Sequence, residues 1–208
     1  LEVVSVRSFA GCRKLKEIAF GENVKVIEQE AFERTAIREL ILPDSLETVG
    51  YRSFASCRKL VNVVIPNSVK LIEHGAFGYN NATTSILFGD SIENISSNAF
   101  IHNTALQAIS FGSRLKSIGE KAFYTCSSVQ SISFQEGITS IGDSAFGDCI
   151  NLGRVVIPKS VMSIGTQAFN GDLNLSFVQL KSPTLHFLGT GAFRRQDCFT
   201  VAWYTGRV

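Results

Sequence analysis

This chain of 208 residues lacks most of the features that mark membrane, metal-binding or nucleic-acid-binding proteins. It has only 3 histidines, 5 cysteines and 1 tryptophan, and its formal net charge is +2. No run approaches the ~18 consecutive apolar residues that span a bilayer, and no Cys-x2-4-Cys pair offers a zinc site. We therefore expect no membrane insertion of this segment, no metal and no cofactor. With 45% hydrophobic and 18% charged residues, the composition favours a packed domain over disorder.

What the chain does have is a regular series of phenylalanines. Their spacings are 23, 22, 23, 23, 23, 23, 23 and 24 residues, and we call them the anchor phenylalanines: Phe9, Phe32, Phe54, Phe77, Phe100, Phe123, Phe146, Phe169 and Phe193. Aliphatic residues recur five and eight positions before each anchor, and two apolar residues follow it at nine and eleven. The second repeat lacks one residue between Glu33 and Ala36. A fixed period of roughly 20–50 residues predicts a solenoid, whose repeats bury their apolar faces by stacking on one another.

Within each repeat, the alternating pair after the anchor predicts one short strand. Val63 and Ile65 form such a pair, and Pro66 then ends the strand because proline donates no hydrogen bond to a sheet. The next segment has apolar residues three apart, such as Val69 and Ile72. This spacing is compatible with a second short strand or with a helical turn, and it leaves both open.

The repeat resembles a known family. The pattern VxxIGxxAFxxCxxLxxIxIP is nearly intact from Ile138 to Pro158, and it is similar to the BspA-type leucine-rich repeat over essentially the whole chain. The resemblance implies a right-handed, leucine-rich-repeat-like solenoid that is rich in β-structure, with one short parallel strand and short helical turns or second strands in each repeat. It also implies a protein on the outside of bacteria or some protozoa, where members are implicated in adhesion to host matrix proteins and other cells.

The position three after the anchor departs most from this pattern. Cysteine occupies it four times, and other residues replace it elsewhere: Thr35, Asn80, Asn103 and Asp172. Residues 79–84 also lose two apolar positions, so we expect a looser corner there. Of the ladder cysteines Cys12, Cys57, Cys126 and Cys149, only the last two are in adjacent repeats. We expect free thiols that pack as small hydrophobes, while a bridge between Cys126 and Cys149 stays open; Cys198 lies off the ladder.

No set of residues suits catalysis. His74, His102 and His186 occupy different positions in different repeats, whereas a catalytic set needs its members within hydrogen-bonding reach of one another. The glycines mark corners, and no GxxxxGK[ST] phosphate loop is present. We therefore predict that the protein is not an enzyme.

The outward positions of the strand, eight and ten after each anchor, are the candidate binding surface. Three adjacent apolar residues, Ile41, Val64 and Leu87, occupy the second column, and contiguous exposed apolar area often marks a binding site. The alternative is that β-branched residues are there because they favour strands. The first column adds five further candidates for partner binding: Glu39, Asn62, Ser85, Arg154 and Phe177.

A second, weaker candidate is a basic patch over the first three repeats. It comprises Arg13, Lys14, Lys16, Arg38, Arg58 and Lys59, with Arg34 beside them. Such a ridge would attract sulfated glycans or an acidic protein; the alternative is ordinary solvated loop charge. Because no aromatic residues interleave with these bases, nucleic acid is not expected as a partner.

The two ends of the chain bear on its context. The sequence opens in mid-repeat, so we expect residues 1–208 to be a single solenoid of eight to nine repeats from a longer chain. Near the other end stand Phe199, Val201, Trp203 and Tyr204, which would form an aromatic lid or an interface. We expect a monomer, with end-to-end contact at the C-terminal repeat as the alternative.

Together, these patterns and the resemblance indicate an extracellular or cell-surface module for protein binding or adhesion. Its partner would be a protein or glycan on host matrix or other cells. The alternative is a structural spacer that holds another domain away from the cell surface and binds nothing itself.

Overall fold

The computed structural model describes residues 1–194 and the backbone of one further strand, Thr200–Trp203. The predictions on Cys198, Phe199 and Tyr204, and on the side chains of Val201 and Trp203, fall outside the described residues. Within that described part, the regular structure consists of short parallel strands and contains no helix. The segment that spacing left open between strand and helical turn is therefore a second strand.

The strands alternate between two positions in the repeat. In chain order they are β1 (Val3–Val4), β2 (Val26–Ile27), β3 (Thr48–Val49), β4 (Asn62–Ile65), β5 (Leu71–Ile72), β6 (Ser85–Phe88), β7 (Asn94–Ile95), β8 (Ala108–Ser110), β9 (Ser117–Ile118), β10 (Ser131–Ser133), β11 (Ser140–Ile141), β12 (Arg154–Ile157), β13 (Ser163–Ile164), β14 (Phe177–Leu180), β15 (Phe187–Leu188) and β16 (Thr200–Trp203).

Strands at the same position in successive repeats pair in parallel, which builds two sides of the solenoid. The two-residue strands before the anchors form the sheets β1-β2-β3-β5 and β7-β9-β11-β13-β15. The longer strands after the anchors form the sheets β4-β6-β8 and β10-β12-β14-β16, and we call this side the long-strand side. The fold is thus the predicted parallel solenoid with a repeat of about 23 residues.

The first two repeats differ from the expected pattern on the long-strand side. Neither Ile18 to Phe20 nor Leu40 to Leu42 forms a regular strand. Isolated ladder bonds remain, since the N–H of Arg38 donates to the Lys16 carbonyl at 3.0 Å and that of Val61 donates to the Arg38 carbonyl at 3.1 Å. These two bonds have the same register as the equivalent bond of the next repeat, from the Thr84 N–H to the Val61 carbonyl, so the short corner of the second repeat is absorbed before this segment begins.

The anchor phenylalanines form a continuous spine of stacked rings along the solenoid. Successive ring centroids are 5.1–5.5 Å apart, with interplanar angles of 2–6°. A second set of rings meets this spine edge-on, as in Phe88 against Phe100 and Phe111 against Phe123. Each such pair contributes about 0.5–1.5 kcal/mol beyond the burial of its area. The anchors from Phe32 to Phe169 are completely buried.

Two corners of each repeat from the one at Phe9 to the one at Phe169 place residues in the left-handed region. These residues lie two before and two after the anchor, and many are not glycine, for example Arg52 (φ 49°), Ser56 (φ 58°) and Lys121 (φ 52°). Their N–H groups donate to carbonyls of the next repeat, at 2.8 Å for Ser56 to Gly78 and 2.9 Å for Lys121 to Asp143. These bonds between repeats offset a cost of about 1–2 kcal/mol for each left-handed residue.

The corner three after the anchor contains a buried polar ladder. Cys57 and Asn80 each donate a side-chain hydrogen bond to the anchor carbonyl of the preceding repeat, at 3.1 and 3.0 Å. Asn103, Cys126 and Cys149 do the same. The corner at residues 79–84 is equally well packed, because Asn80 is buried and Thr83 donates to the Leu60 carbonyl at 2.8 Å. The expectation of a looser corner was therefore wrong.

Candidate recognition surface

Three aliphatic side chains protrude from the long-strand side. Ile41, Val64 and Leu87 are 80%, 52% and 49% exposed, and Val64 and Leu87 are register partners on β4 and β6. Their neighbours along the chain, such as Leu40 and Leu42, are buried. Because successive residues of an extended segment point to opposite faces, the burial of those neighbours directs the three side chains outward. We call them the aliphatic patch.

The aliphatic patch lies in a shallow open groove of about 620 Å³. Its sides come from the turns that end each strand segment, which contribute Asp44, Pro66, Asn67 and Gly89. The groove thus joins an apolar floor to a rim with polar groups. This is the arrangement expected of an interface core with a polar border.

The other predicted surface residues do not all belong to this groove. Asn62 and Ser85 bond to each other, since the Ser85 hydroxyl donates to the Asn62 amide oxygen at 2.7 Å. Arg154 lies over the ring of Phe177, with its guanidinium carbon 4.1 Å from the ring centroid. Exposed small residues separate that pair from the aliphatic patch: Ala108, Ser110, Ser131 and Ser133. The structure therefore resolves the predicted columns into distinct local groups.

The predicted basic ridge is also divided. Arg13, Arg58 and Lys59 line one depression together with Arg34. Lys16 and Arg38 line a different one, whose other lining residues are Glu17 and Glu39. Lys14 is exposed and lines neither of the two. Glu17 and Glu39 thus place carboxylates beside Lys16 and Arg38, and the basic patch as a binding surface stays a prediction.

Sequence reasoning missed a row of stacked polar rings at the corners. Tyr51 stacks on His74 with centroids 5.7 Å apart, and Tyr79 stacks on His102 at 5.0 Å. Each pair has the same offset from its anchor: three before for the first and two after for the second. Comparing non-anchor rings at equal offsets would have found them. The stacking gives these two histidines a structural role in contact with neighbouring repeats.

Three buried ionisable groups, those of Cys126, Cys149 and Asp172, have no exposed surface through which a ligand could reach them. Burial raises the pKa of the Cys126 thiol to about 12 and the pKa of the Cys149 thiol well above its ordinary value. Both cysteines are free, as are Cys12 and Cys57. Burial also raises the pKa of the Asp172 carboxyl to about 9, and that residue has no exposed surface. These shifts are consequences of packing.

Two further findings concern metal and membrane. Among the described residues, no three histidine, cysteine or acidic side chains come together as a metal site. In the same part of the chain, no helix has both the length and the apolar character needed to cross a bilayer.

Comparison with known proteins adds the family. The sequence profile of the BspA type leucine rich repeat region matches residues 1–107 and 76–200, in six copies. None of the curated proteins matches the sequence significantly. Members of this repeat family are generally non-catalytic and are typical of protein-binding or surface proteins.

Three solved bacterial structures are similar to this chain. A leucine-rich repeat protein from Bacteroides ovatus is 25% identical with a TM-score of 0.83, covering 94% of this chain and 49% of its own. A leucine rich cell surface protein from Faecalibacterium prausnitzii is 28% identical with a TM-score of 0.60, covering 92% and 59%. The T. pallidum leucine-rich repeat protein is 28% identical with a TM-score of 0.55, covering 62% and 69%. The present chain thus spans only about half of the first two relatives.

Proposed function

We propose, since this chain belongs to the BspA-type leucine-rich repeat family, that it is an extracellular recognition or adhesion module that binds a partner protein through the aliphatic patch. One solved relative is described as a cell surface protein, which supports a surface location. The single observation that carries the proposal is the exposure of Ile41, Val64 and Leu87 side by side in one groove.

The position of the aliphatic patch explains why binding there would be favourable. Stacking requires the inward residues of each strand segment to be apolar, but it sets no such requirement for the outward ones. When a partner covers these three large aliphatic side chains, the free energy of the system therefore falls by about 25 cal/mol for each Å² of apolar surface removed from water. The polar rim supplies hydrogen-bonding groups around that contact.

The chemistry of the groove favours protein over glycan. Its outward-facing floor is aliphatic, and Phe88, the one aromatic residue that lines it in the described part of the chain, is only 4% exposed. An aliphatic floor suits the side chains of a protein segment, whereas a sugar ring would place polar hydroxyls against it without partners. The proposed occupant is therefore a protein segment with apolar side chains at its centre.

The test is a triple substitution, Ile41→Asp, Val64→Asp and Leu87→Asp. Binding to immobilised collagen, laminin and fibronectin and to cultured cells is measured with the parent and the variant. We expect the variant to bind at least about 30-fold more weakly, as is usual when a central group of interface residues is removed. Its melting temperature should match that of the parent, because all three side chains are outside the core.

A matched control places the same three charges elsewhere on the long-strand side. The substitutions Ala108→Asp, Ser110→Asp and Ser133→Asp affect exposed small residues and should leave binding unchanged. Equal loss in both variants would contradict the aliphatic patch as the contact, because added negative charge alone would then explain the effect. Absence of binding by the parent would favour the spacer, whereas measurable and equal binding by parent and variant would show that the protein binds through a surface other than the aliphatic patch.

A further inference from the structure

A second concave site lies at the corners that follow the anchors Phe9, Phe32 and Phe54 by two to five residues. It is a depression of about 400 Å³ lined by four basic side chains, those of Arg13, Arg34, Arg58 and Lys59. Its remaining lining residues are small: Thr35, Ala36 and Ser56. All four basic residues are exposed. Among the residues that the structure describes, no carboxylate lines the depression.

The shortened second repeat explains why there is a depression at all. The first repeat has Arg13 and Lys14 between its ladder and apolar positions, and the third has Arg58 and Lys59 there. The second repeat has the single residue Ala36 in the same interval. Its corner is therefore both shorter and smaller in side-chain volume than the corners above and below it. The long basic side chains of the flanking repeats border the gap that this leaves.

The four bases are not neutralised within the described part of the chain. Other bases nearby are paired, as in Arg7 with Glu30 and Arg52 with Glu33 at 2.6 Å. By contrast, none of the ion pairs among residues 1–194 involves a base of the depression. Four positive charges around one concavity without internal partners produce a local field that attracts anions.

The spacing of the bases indicates a ligand with more than one anionic group. The anchor rings Phe9, Phe32 and Phe54 are 5.1 Å apart at each step. Arg13 and Arg58, which follow the first and third of them by four residues, thus rise from backbones about 10 Å apart, or two strand spacings. Arginine binds oxyanions such as sulfate through two parallel hydrogen bonds. Two such contacts at this distance suit an extended polymer with regularly placed oxyanions.

The lining also narrows the class of polymer. Within residues 1–194, the lining contains no aromatic ring on which a nucleic-acid base would stack. Its one apolar residue in that range is Ala36, so an acidic protein would find little apolar surface to bury. Small hydroxyl-bearing residues and arginines suit a chain of sugars with charged substituents. We propose that this depression is a binding site for sulfated polysaccharide, separate from the aliphatic patch.

The test uses a heparin octasaccharide as the probe in isothermal titration calorimetry at physiological salt. The variant Arg13→Gln, Arg34→Gln and Arg58→Gln should bind it at least about 30-fold more weakly, and the dependence of binding on salt should become shallower. The control Lys159→Gln, Lys181→Gln and Arg194→Gln removes the same charge from the far end of the described residues. It should retain the affinity and salt dependence of the parent.

Further probes and outcomes decide the class of ligand. Chemically desulfated heparin of the same length should bind far more weakly than the sulfated form. The proposal is overturned if both triple variants lose affinity equally, since net charge would then be the cause. It is also overturned if the parent fails to bind the octasaccharide, or if desulfated heparin, polyglutamate or single-stranded DNA binds as tightly. The aliphatic-patch variant should bind heparin like the parent, so failure here is distinguishable from failure of the proposed protein contact.

Discussion

Replacing Asp172 with asparagine is expected to stabilise this protein at neutral pH. Asp172 is completely buried in the polar ladder, and its Oδ1 accepts a hydrogen bond from the Cys149 N–H at 2.8 Å. Asn103 makes the equivalent contact with the Asn80 N–H at 2.9 Å. The difference lies in the second atom: Oδ2 of Asp172 is buried without a hydrogen-bond partner, whereas Nδ2 of Asn103 donates to two anchor carbonyls.

The pKa of Asp172 sets the size and sign of the effect. Burial first, and repulsion by Asp148 in addition, raise this pKa from 3.8 to about 9, against the opposing hydrogen bond from Cys149. The folded state therefore holds a proton that the unfolded chain loses above pH about 4, so stability falls as pH rises from about 4 to about 9. At about 1.4 kcal/mol for each unit of pKa, the free-energy cost reaches about 4 kcal/mol at pH 7. Below pH about 4, both states are protonated and the cost vanishes.

An amide at this position removes the cost because it needs no proton. By analogy with Asn103, its Nδ2 would be placed to donate to the carbonyls of Phe146 and Phe169. We expect Asp172→Asn to be more stable than the parent by about 2–4 kcal/mol at pH 7, which corresponds to a rise in melting temperature of about 5–15 °C. Thermal and urea unfolding followed by circular dichroism from pH 4 to 9 would measure the difference. The two curves should converge toward pH 4.

Two further variants test this explanation of the pH dependence. Asn103→Asp should reproduce the defect in another repeat, with stability that falls as pH rises. Asp90→Asn should act in the opposite direction, because Asp90 accepts hydrogen bonds from the N–H and hydroxyl of Ser113, which hold its pKa below the ordinary value. The contribution of Asp90 to the stability of the folded state is therefore present above the pKa that Asp90 has in the unfolded chain, and it is lost as pH falls. If Asp172→Asn is less stable than the parent at pH 7, or differs from it equally at all pH values, the reasoning is refuted.

Three further predictions concern the scaffold. Phe100→Ala removes one ring of the spine and should cost about 3–5 kcal/mol in urea unfolding; a cost below about 1 kcal/mol would contradict the stacking. Ser144→Gly should raise the free energy of unfolding by up to about 1 kcal/mol in the same assay, because Ser144 has a φ of 52°, which glycine adopts without strain. A lower free energy of unfolding would contradict the strain assigned to this left-handed residue. In a Cys198→Ser background, a maleimide should label the native protein at the exposed Cys12 alone. Labelling of Cys57, Cys126 or Cys149 in the native state would contradict their burial in the core.

The anchors and strands were predictable because the same pattern of buried apolar positions recurs from repeat to repeat. Phe77 and Val63 are core residues for reasons visible in the sequence, since their equivalents recur at the same offset in most repeats. The left-handed corners were not predictable in this way. Arg52, Ser56 and Lys121 have side chains that give no local signal for positive φ, and their conformation depends on hydrogen bonds to the next repeat.

The two candidate binding sites were also predictable from the sequence only in part. The outward direction of Ile41, Val64 and Leu87 follows from alternation, so the aliphatic patch was predictable. The groove around it was not, because its rim comes from turns whose positions depend on stacking. Likewise, the sequence shows which residues near the second repeat are basic, but not how they are grouped in space. Only the structure separates Arg13, Arg34 and Arg58 from Lys16 and Arg38, which lie beside carboxylates.

Both proposed sites are departures from the repeat, and this follows from what stacking requires. Stacking constrains the inward residues, and it leaves the outward columns free to be small or polar, as they are at Ala108, Ser110 and Ser131. The aliphatic patch and the shortened corner at Ala36 contribute nothing to the phenylalanine spine, and each adds exposed apolar surface or unneutralised charge. Features that stacking does not need, and that leave apolar surface exposed or place like charges close together, are where a repeat protein is expected to meet a partner.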